Sequence, residues 1–226
     1  MSAIKVAQPG ADFLGILTPS ARDRLLASSS RVNFPAGNVF YRPGEGERVL
    51  IVTRGLVRVY FQDAEGRQAT VLFAPENAVV GLVNVLGEIP DLFGQAVVRT
   101  SALSVDHRVL GDLVNRDLAT ARAVARYVAM RLRRTYELVG LRTLGSIRER
   151  LAYDLLERAS RVQLQTGRLS VEASQTELAN SIGTSREVAS RALAMFRSER
   201  LITTGRAVVR IEDPIRLAHI VRDFAI

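Results

Sequence analysis

The stretch SQTELANSIGTSREVASRALAMFRSERLI, Ser174 to Ile202, decides how the rest of the chain is read. It spells two short helices around a tight turn at Gly183. Ser174-Gln175-Thr176-Glu177 has the S-x-x-E form of a capping box, in which hydroxyl and carboxylate satisfy each other's orphan backbone N–H groups. Leu178, Ala179 and Ile182 form one apolar face, with Ala179 small enough for two helices to cross closely. A Gly at 183 supplies positive φ for the turn. Thr184-Ser185-Arg186-Glu187 repeats the S/T-x-x-E form and opens a second helix. Val188, Ala192, Leu193 and Phe196 are expected to face inward there, leaving Ser185, Arg186, Glu187, Ser190 and Arg191 outward. Arg186 with Ser190, and Glu187 with Arg191, are i, i+4 pairs that line one face. Such a pair of helices is how a helix-turn-helix offers side chains to the major groove. Arginine grips guanine O6 and N7, and Glu accepts from cytosine N4, each such contact being worth roughly 1–3 kcal/mol of discrimination.

Beyond Ile202, the apolar pair Leu201-Ile202 and the run Ala207–Ile211 flank Thr203-Thr204-Gly205-Arg206. This reads as a two-stranded wing with Arg206 placed to meet phosphate. Toward the N-terminus, Ser146-Ile147-Arg148-Glu149 is another capping box, and a helix is expected from it to about Ser160. Thr166-Gly167 makes a turn.

Further upstream the period is 3.5 residues. Val114, Leu118, Ala121, Ala125, Val128, Leu132, Thr135 and Val139 step alternately by four and three over a helix of roughly 30 residues starting near Leu110. Arg116, Arg122, Arg126, Arg131, Arg133 and Arg134 flank it. An apolar line this narrow suits a parallel coiled-coil dimer seam better than a core helix. Gly140 and Gly145 bracket an expected hinge below it.

From Val32 to His107 the texture is that of strands. Val39–Tyr41, Val49–Val52, Leu56–Phe61, Ala69–Phe73, Ala78–Val80, Gln95–Arg99 and Ala102–Asp106 alternate with Arg42-Pro43-Gly44-Glu45, Arg54-Gly55, Asp63-Ala64-Glu65-Gly66 and Pro75-Glu76-Asn77. Their spacing argues a small antiparallel barrel or roll. Residues 12–29 read as a helical lead-in opened by Thr18-Pro19.

Composition limits the chemistry. The chain has 226 residues, a net charge of +8 and no Cys. Disulfides, thiolate zinc sites, iron–sulfur clusters and Cys nucleophiles are therefore excluded. Only His107 and His219 are present, so no His-based metal site is expected. Residues 1–140 carry 17 basic and 13 acidic groups, and residues 141–226 carry 14 and 10. Each part is +4, so any electropositive footprint is local. The basic residues are 30 Arg and the single Lys5. No G-x-S-x-G, Walker loop or cluster of His or carboxylates supports an enzyme. No apolar run reaches the ~20 residues of a bilayer span, and no signal pattern opens the chain, which points to the cytoplasm.

Taken in order, roll, long seam helix, capped helix, helix-turn-helix and wing resemble the CRP/FNR family of bacterial transcription regulators. The motifs carrying the likeness are TSREVASR, RGLVRVY, DAEGR and RTYELVGLRTLGSIRERLAYDLL. The resemblance implies an α+β fold: an N-terminal antiparallel β-roll of the cyclic-nucleotide-binding-like jelly-roll type over residues 1–110, a dimerisation helix over 111–140, and a C-terminal winged helix-turn-helix over 141–226. It implies a homodimer on a palindromic DNA site that recruits or blocks RNA polymerase. Arg186, Glu187 and Arg191 match the residues that read a TGTGA-like half-site in the cyclic-AMP branch, and Ser190 matches a Ser used on a TTGAT-like half-site in the oxygen-sensing branch. A TGA-type core is common to both. Ser174, Gln175, Thr184, Ser185 and Arg206 complete the expected DNA contacts.

The sensor departs from the pattern. Cyclic-AMP binders carry Gly-Glu-Leu and then Arg-Ser/Thr-Ala; here the matching stretches are Gly81-Leu82-Val83 and Gly94-Gln95-Ala96. The carboxylate for ribose and the guanidinium for phosphate are both missing, and a buried phosphate without Arg is an unpaired charge. No cyclic-AMP response is expected, and neither haem nor an iron–sulfur cluster. PENAVVGLVNVLGEIPDLFGQAVVRT is more similar to the cyanobacterial nitrogen-control regulators, which sense 2-oxoglutarate. Arg131 matches one of their Arg residues, while Leu92 and Tyr136 replace a second Arg and a Glu. The expected effector pocket is Gly81, Leu82, Val83, Arg131, Thr135 and Tyr136. In this scheme an effector, or nothing at all, sets the seam, and the hinge sets two recognition helices about 34 Å apart. The alternative is a constitutive regulator whose roll senses nothing.

Overall fold

The structure is a computed structural model and describes residues 12–43, 48–86 and 91–222. Gly44 and Glu45 of one expected break, and residues 87–90 of the sensor segment, lie outside the described residues.

Thr18 caps α1 (Pro19–Ala27), accepting from the Ala21 amide at 3.3 Å, with Pro19 at the first helical position. Eight strands follow: β1 (Ser30–Phe34), β2 (Val39–Tyr41), β3 (Arg48–Arg54), β4 (Leu56–Gln62), β5 (Gln68–Pro75), β6 (Val79–Val80), β7 (Phe93–Ala96) and β8 (Thr100–Asp106). They form two antiparallel sheets, ordered β1-β8-β3-β6 and β2-β7-β4-β5. Gly55 turns β3 into β4 at φ +109°, and a Cβ there would lie 2.6 Å from Thr100 Oγ1, so no other residue fits. The expected strand Gln95–Arg99 is shorter and shifted. It starts at Phe93 and ends at Ala96, and the chain bends through residues 97–99 to reach β8.

The helical region differs from the sequence reading in two places. The run from Leu110 is not one helix. α2 (His107–Arg116) ends at Asp117, whose extended backbone (φ −125°, ψ 107°) starts α3 (Leu118–Leu144). Asp117 caps α3 by accepting from Ala119 N at 3.0 Å and Thr120 Oγ1 at 2.6 Å. Val114 therefore lies on another helix, and both it and Val128 pack half-buried against the core shared with the roll, so the expected seam line is broken at these two positions. The heptad step crossed this break because a cap and a helix-interior Asp look alike in a period count. Gly140 is not part of a hinge either: it lies inside α3, and the turn is confined to Gly145 and Ser146.

α4 (Ile147–Thr166) runs six residues past its expected end at Ser160, to Gly167, which closes it in the left-handed region. Ser146 forms the expected capping box with Glu149. Arg142 of α3 reaches across the turn to Tyr153 Oη at 3.0 Å. β9 (Ser170–Glu172), α5 (Gln175–Ser181), α6 (Arg186–Ser198), β10 (Ile202–Gly205), β11 (Val208–Ile211) and α7 (Pro214–Arg222) complete the chain. The wing is three-stranded rather than two, ordered β10-β11-β9. α7 has no counterpart in the sequence reading; its Leu217 and Ala218 are wholly buried in the core that α4 anchors.

Among the described residues, three apolar cores hold this together. Leu50, Val52, Val57 and Val59 fill the roll interior, with the rings of Phe34 and Phe40 stacked at 4.2 Å at its edge. A second core joins roll and long helix, where Tyr127 of α3 accepts from Val79 N at 2.9 Å and meets Phe13 edge-on at 5.2 Å. The third joins Leu56, Phe73 and Val97 of the roll to α4, α6 and α7. The opposite side of α3 is bare: Leu118, Leu132, Tyr136 and Val139 are 66%, 49%, 60% and 66% exposed. No helix among the described residues is long and apolar enough to cross a membrane.

Candidate nucleic-acid interface

α5 opens as its sequence dictates. Ser174 Oγ accepts from Glu177 N at 3.2 Å, and Glu177 Oε2 accepts from Ser174 N at 2.7 Å. Bonds from the Ser174 backbone N–H and, second, from its hydroxyl hold the Glu177 carboxyl below the usual carboxylate range. Leu178, Ala179 and Ile182 are buried. Gly183 takes φ +64°, and Thr184 N donates to Ala179 O at 3.0 Å, closing the turn.

The second capping box does not form as read. The cap of α6 is Ser185, one residue later than Thr184, and its hydroxyl accepts from Val188 N at 3.4 Å. The inward set differs in one member. Ala189, Ala192, Leu193 and Phe196 are buried, while Val188 is only half-buried. The outward set survives: Ser185, Arg186, Glu187 and Arg191 are exposed and Ser190 is half-buried. Glu187 is held below the usual carboxylate range by its own backbone N–H and the Ser185 hydroxyl, with Arg186 and Arg191 adding attraction. It is therefore a charged acceptor at neutral pH, flanked by two cations on the first turns of the helix.

Ser174, Gln175, Thr176, Arg186, Thr204 and Gly205 line a cleft of about 260 Å³ between the two helices and the hairpin. Arg206 is exposed in the turn between β10 and β11, beside Ala207 at φ +56°. Of the expected DNA-contact residues, Ser174, Gln175 and Arg186 are thus brought together at one cleft. One support was invisible to local pattern. Arg148 Nη1 and Nη2 donate to Glu199 Oε1 and Oε2 at 2.7 Å each, and the guanidinium lies over the Phe196 ring at 5.1 Å. The partners are 51 residues apart, so only the packing of α4 on α6 brings them together.

The expected effector pocket is divided. Gly81 has φ +83°, Leu82 is buried with Tyr127, and Val83 is at the surface. Arg131 is half-buried, its guanidinium 6.0 Å from the Tyr127 ring centre, and burial lowers its pKa. Thr135 spends its hydroxyl on Arg131 O at 3.2 Å. Tyr136 is turned away onto the bare side of α3 with Leu132 and Val139. The reason is the helical period, since five residues rotate a side chain by about 140°.

The comparisons agree with this architecture. The Crp-like helix-turn-helix domain model matches residues 149–220, and the cyclic nucleotide-binding domain model matches 31–117. The chain is 28% identical over 211 residues to the CRP-like cAMP-activated global transcriptional regulator of Mycobacterium tuberculosis, covering 91% of this chain and 94% of that protein. It is 27% identical over 206 residues to the cyclic AMP receptor protein of Thermus thermophilus, covering 90% and 94%. Among solved structures, a regulator of the crp/fnr family from Eubacterium rectale superposes with a TM-score of 0.58 at 20% identity, over 92% of this chain and 96% of that one. FixK2 from Bradyrhizobium japonicum does so with a TM-score of 0.54 at 24% identity, over 85% and 96%. Both show the fold. With a roll, a long helix and a helix-turn-helix in the matched order, the chain belongs to the CRP/FNR family, whose members are DNA-binding transcription regulators rather than enzymes.

Proposed function

We propose that this regulator is a homodimer, paired through the bare side of α3, that reads a palindromic site with a TGA-type core. Arg186, Glu187, Ser190 and Arg191 contact base edges, and Ser174, Gln175, Thr184, Ser185 and Arg206 meet the backbone. RNA polymerase is the further partner. The observation carrying the reading is the exposed Arg186–Glu187–Arg191 face on the first turns of a helix otherwise buried through Ala189, Ala192, Leu193 and Phe196. The test is selection of bound duplexes from a randomised pool by the purified protein. Enrichment of an inverted repeat supports the reading; enrichment of no sequence, or of a single unrepeated site, sinks it.

The roll does not take a cyclic nucleotide in this reading. A side chain at position 94 would start 3.0 Å from Tyr41 Cβ and 3.3 Å from the Phe40 ring. A guanidinium for the phosphate has no room there, and apolar side chains occupy the interior. This favours the second reading, a constitutive regulator. Operator binding by protein freed of all small molecules supports it; a requirement for an added effector refutes it. A 2-oxoglutarate response is the weaker alternative, because Tyr136 and Arg131 face different ways.

A further inference from the structure

The outer face of the sheet β2-β7-β4-β5 is a domain contact. Leu56, Phe73 and Val97 are buried there against the body that carries the DNA-reading helices. A polar chain crosses the middle of this apolar contact. Arg58 of β4 is fully buried; its Nε donates to Thr70 Oγ1 at 2.8 Å, and its Nη1 donates to Gln68 Oε1 at 2.8 Å and Gln95 Oε1 at 3.4 Å. Gln95 of β7, also fully buried, donates from Nε2 to the Ser160 carbonyl of α4 at 3.0 Å and to Gln163 Oε1 at 3.4 Å. Gln163 Nε2 returns the contact, donating to Val97 O at 2.8 Å. Arg161 of α4 donates to the Gln68 carbonyl at the rim. Burial pushes Arg58 down to about 10, and the Glu157 carboxylate of α4 opposes that shift from across the contact.

Apolar contact alone is non-directional and would let α4 slide on the sheet. Buried hydrogen bonds do not, because a shift of an ångström or two leaves Gln95 and Gln163 unsatisfied in a low dielectric. We propose that Gln95 and Gln163 are positioning residues for DNA reading: they lock the helix-turn-helix body onto its own roll in a single orientation, and so set the half-site spacing the protein accepts. The proposal rests on the palindrome-reading dimer above. It assigns to a glutamine pair the precision that a single-turn connection at Gly145-Ser146 would not supply.

The test uses the full chain and exploits its lack of Cys. Spin labels at Glu76→Cys on the roll and Ser198→Cys on α6, both exposed positions, report the distance between the two bodies. Labelled chains are diluted with unlabelled protein so that intrachain pairs dominate. The parent should give one narrow distance. Gln95→Leu and Gln163→Leu, one on each side of the contact, should each broaden it, and the double variant should be no broader than either alone, since both cut one network. On the selected operator, the parent should lose roughly tenfold or more in affinity when the spacer changes by one base pair, and both variants should lose little. Narrow, parent-like distances with unchanged spacer discrimination in both variants overturn the proposal, as does broadening that sums in the double variant. If the parent binds no operator, the dimeric DNA reading fails, while the distance arm still decides the lock. Should one variant not fold, the other suffices.

Discussion

Arg148 and Glu199 are joined by two parallel hydrogen bonds of 2.7 Å, tying the first turn of α4 to the C-terminal cap of the recognition helix. The side-chain hydrogen bonds from Arg148 hold the Glu199 carboxyl below its ordinary value of 4.5. A depressed folded-state value contributes stability above the ordinary value, and that contribution is lost as pH falls through the folded value. Thermal stability of the chain should therefore fall as pH drops below about 4.5. Arg148→Met should cost about 1 kcal/mol at neutral pH, both side chains being partly exposed, and should remove this part of the acid-side slope. Melting curves across pH check it.

Base reading and backbone contact should separate by substitution. Arg186→Ala and Arg191→Ala should each lower affinity for the selected operator roughly tenfold or more and relax the preference at one base pair per half-site. Arg206→Ala should instead weaken binding to all sequences alike and reduce the salt-dependence slope by about 1 per chain. Anisotropy titrations on matched and mismatched duplexes at several salt concentrations distinguish the two.

The bare side of α3 should be the dimer contact. Leu132→Asp puts a charge in the middle of the exposed row and should yield monomers by sedimentation, with loss of palindrome binding. Thr135→Leu should tighten the dimer by adding apolar area beside Leu132, at the loss of the hydroxyl bond to Arg131 O. If neither change moves the sedimentation coefficient or DNA affinity, the seam lies elsewhere.

A fluorescent cyclic-nucleotide titration should show no micromolar binding, in contrast to what the names of the 28%- and 27%-identical relatives say of those proteins. Gly94→Ala should cost roughly 1–3 kcal/mol by overpacking, because the new methyl meets Tyr41 Cβ at 3.0 Å. Chemical denaturation of the variant reads that cost.

The sequence carried what is local. The Ser174 and Ser146 capping boxes and the turn at Gly183 each depend on neighbours within four or five positions, and each stands where the pattern put it. Helix ends were less legible. Thr184 and Ser185 are both good caps, and it is the Ser185 hydroxyl that takes the Val188 amide. Asp117 was hidden inside an unbroken heptad count. Long-range polar pairs were not legible at all. Arg58 and Gln95 sit among strand residues with alternating apolar neighbours, and nothing local says that their outward side is covered by α4. The same applies to β9, whose three residues become a strand only because β11 lies beside them. Tyr136 shows the reverse error: a position matched by likeness alone was placed in a pocket that the helical turn denies it.

The uncovered apolar line on α3 has a consequence for dosage. If two chains must meet before an operator is read, occupancy at low abundance grows with the square of the chain's concentration rather than in proportion to it. A gene-copy change of two would then alter promoter occupancy about fourfold, and a dilution series of operator binding would show the steeper rise. The amount of the regulator would itself be a signal, one that the roll has no need to receive.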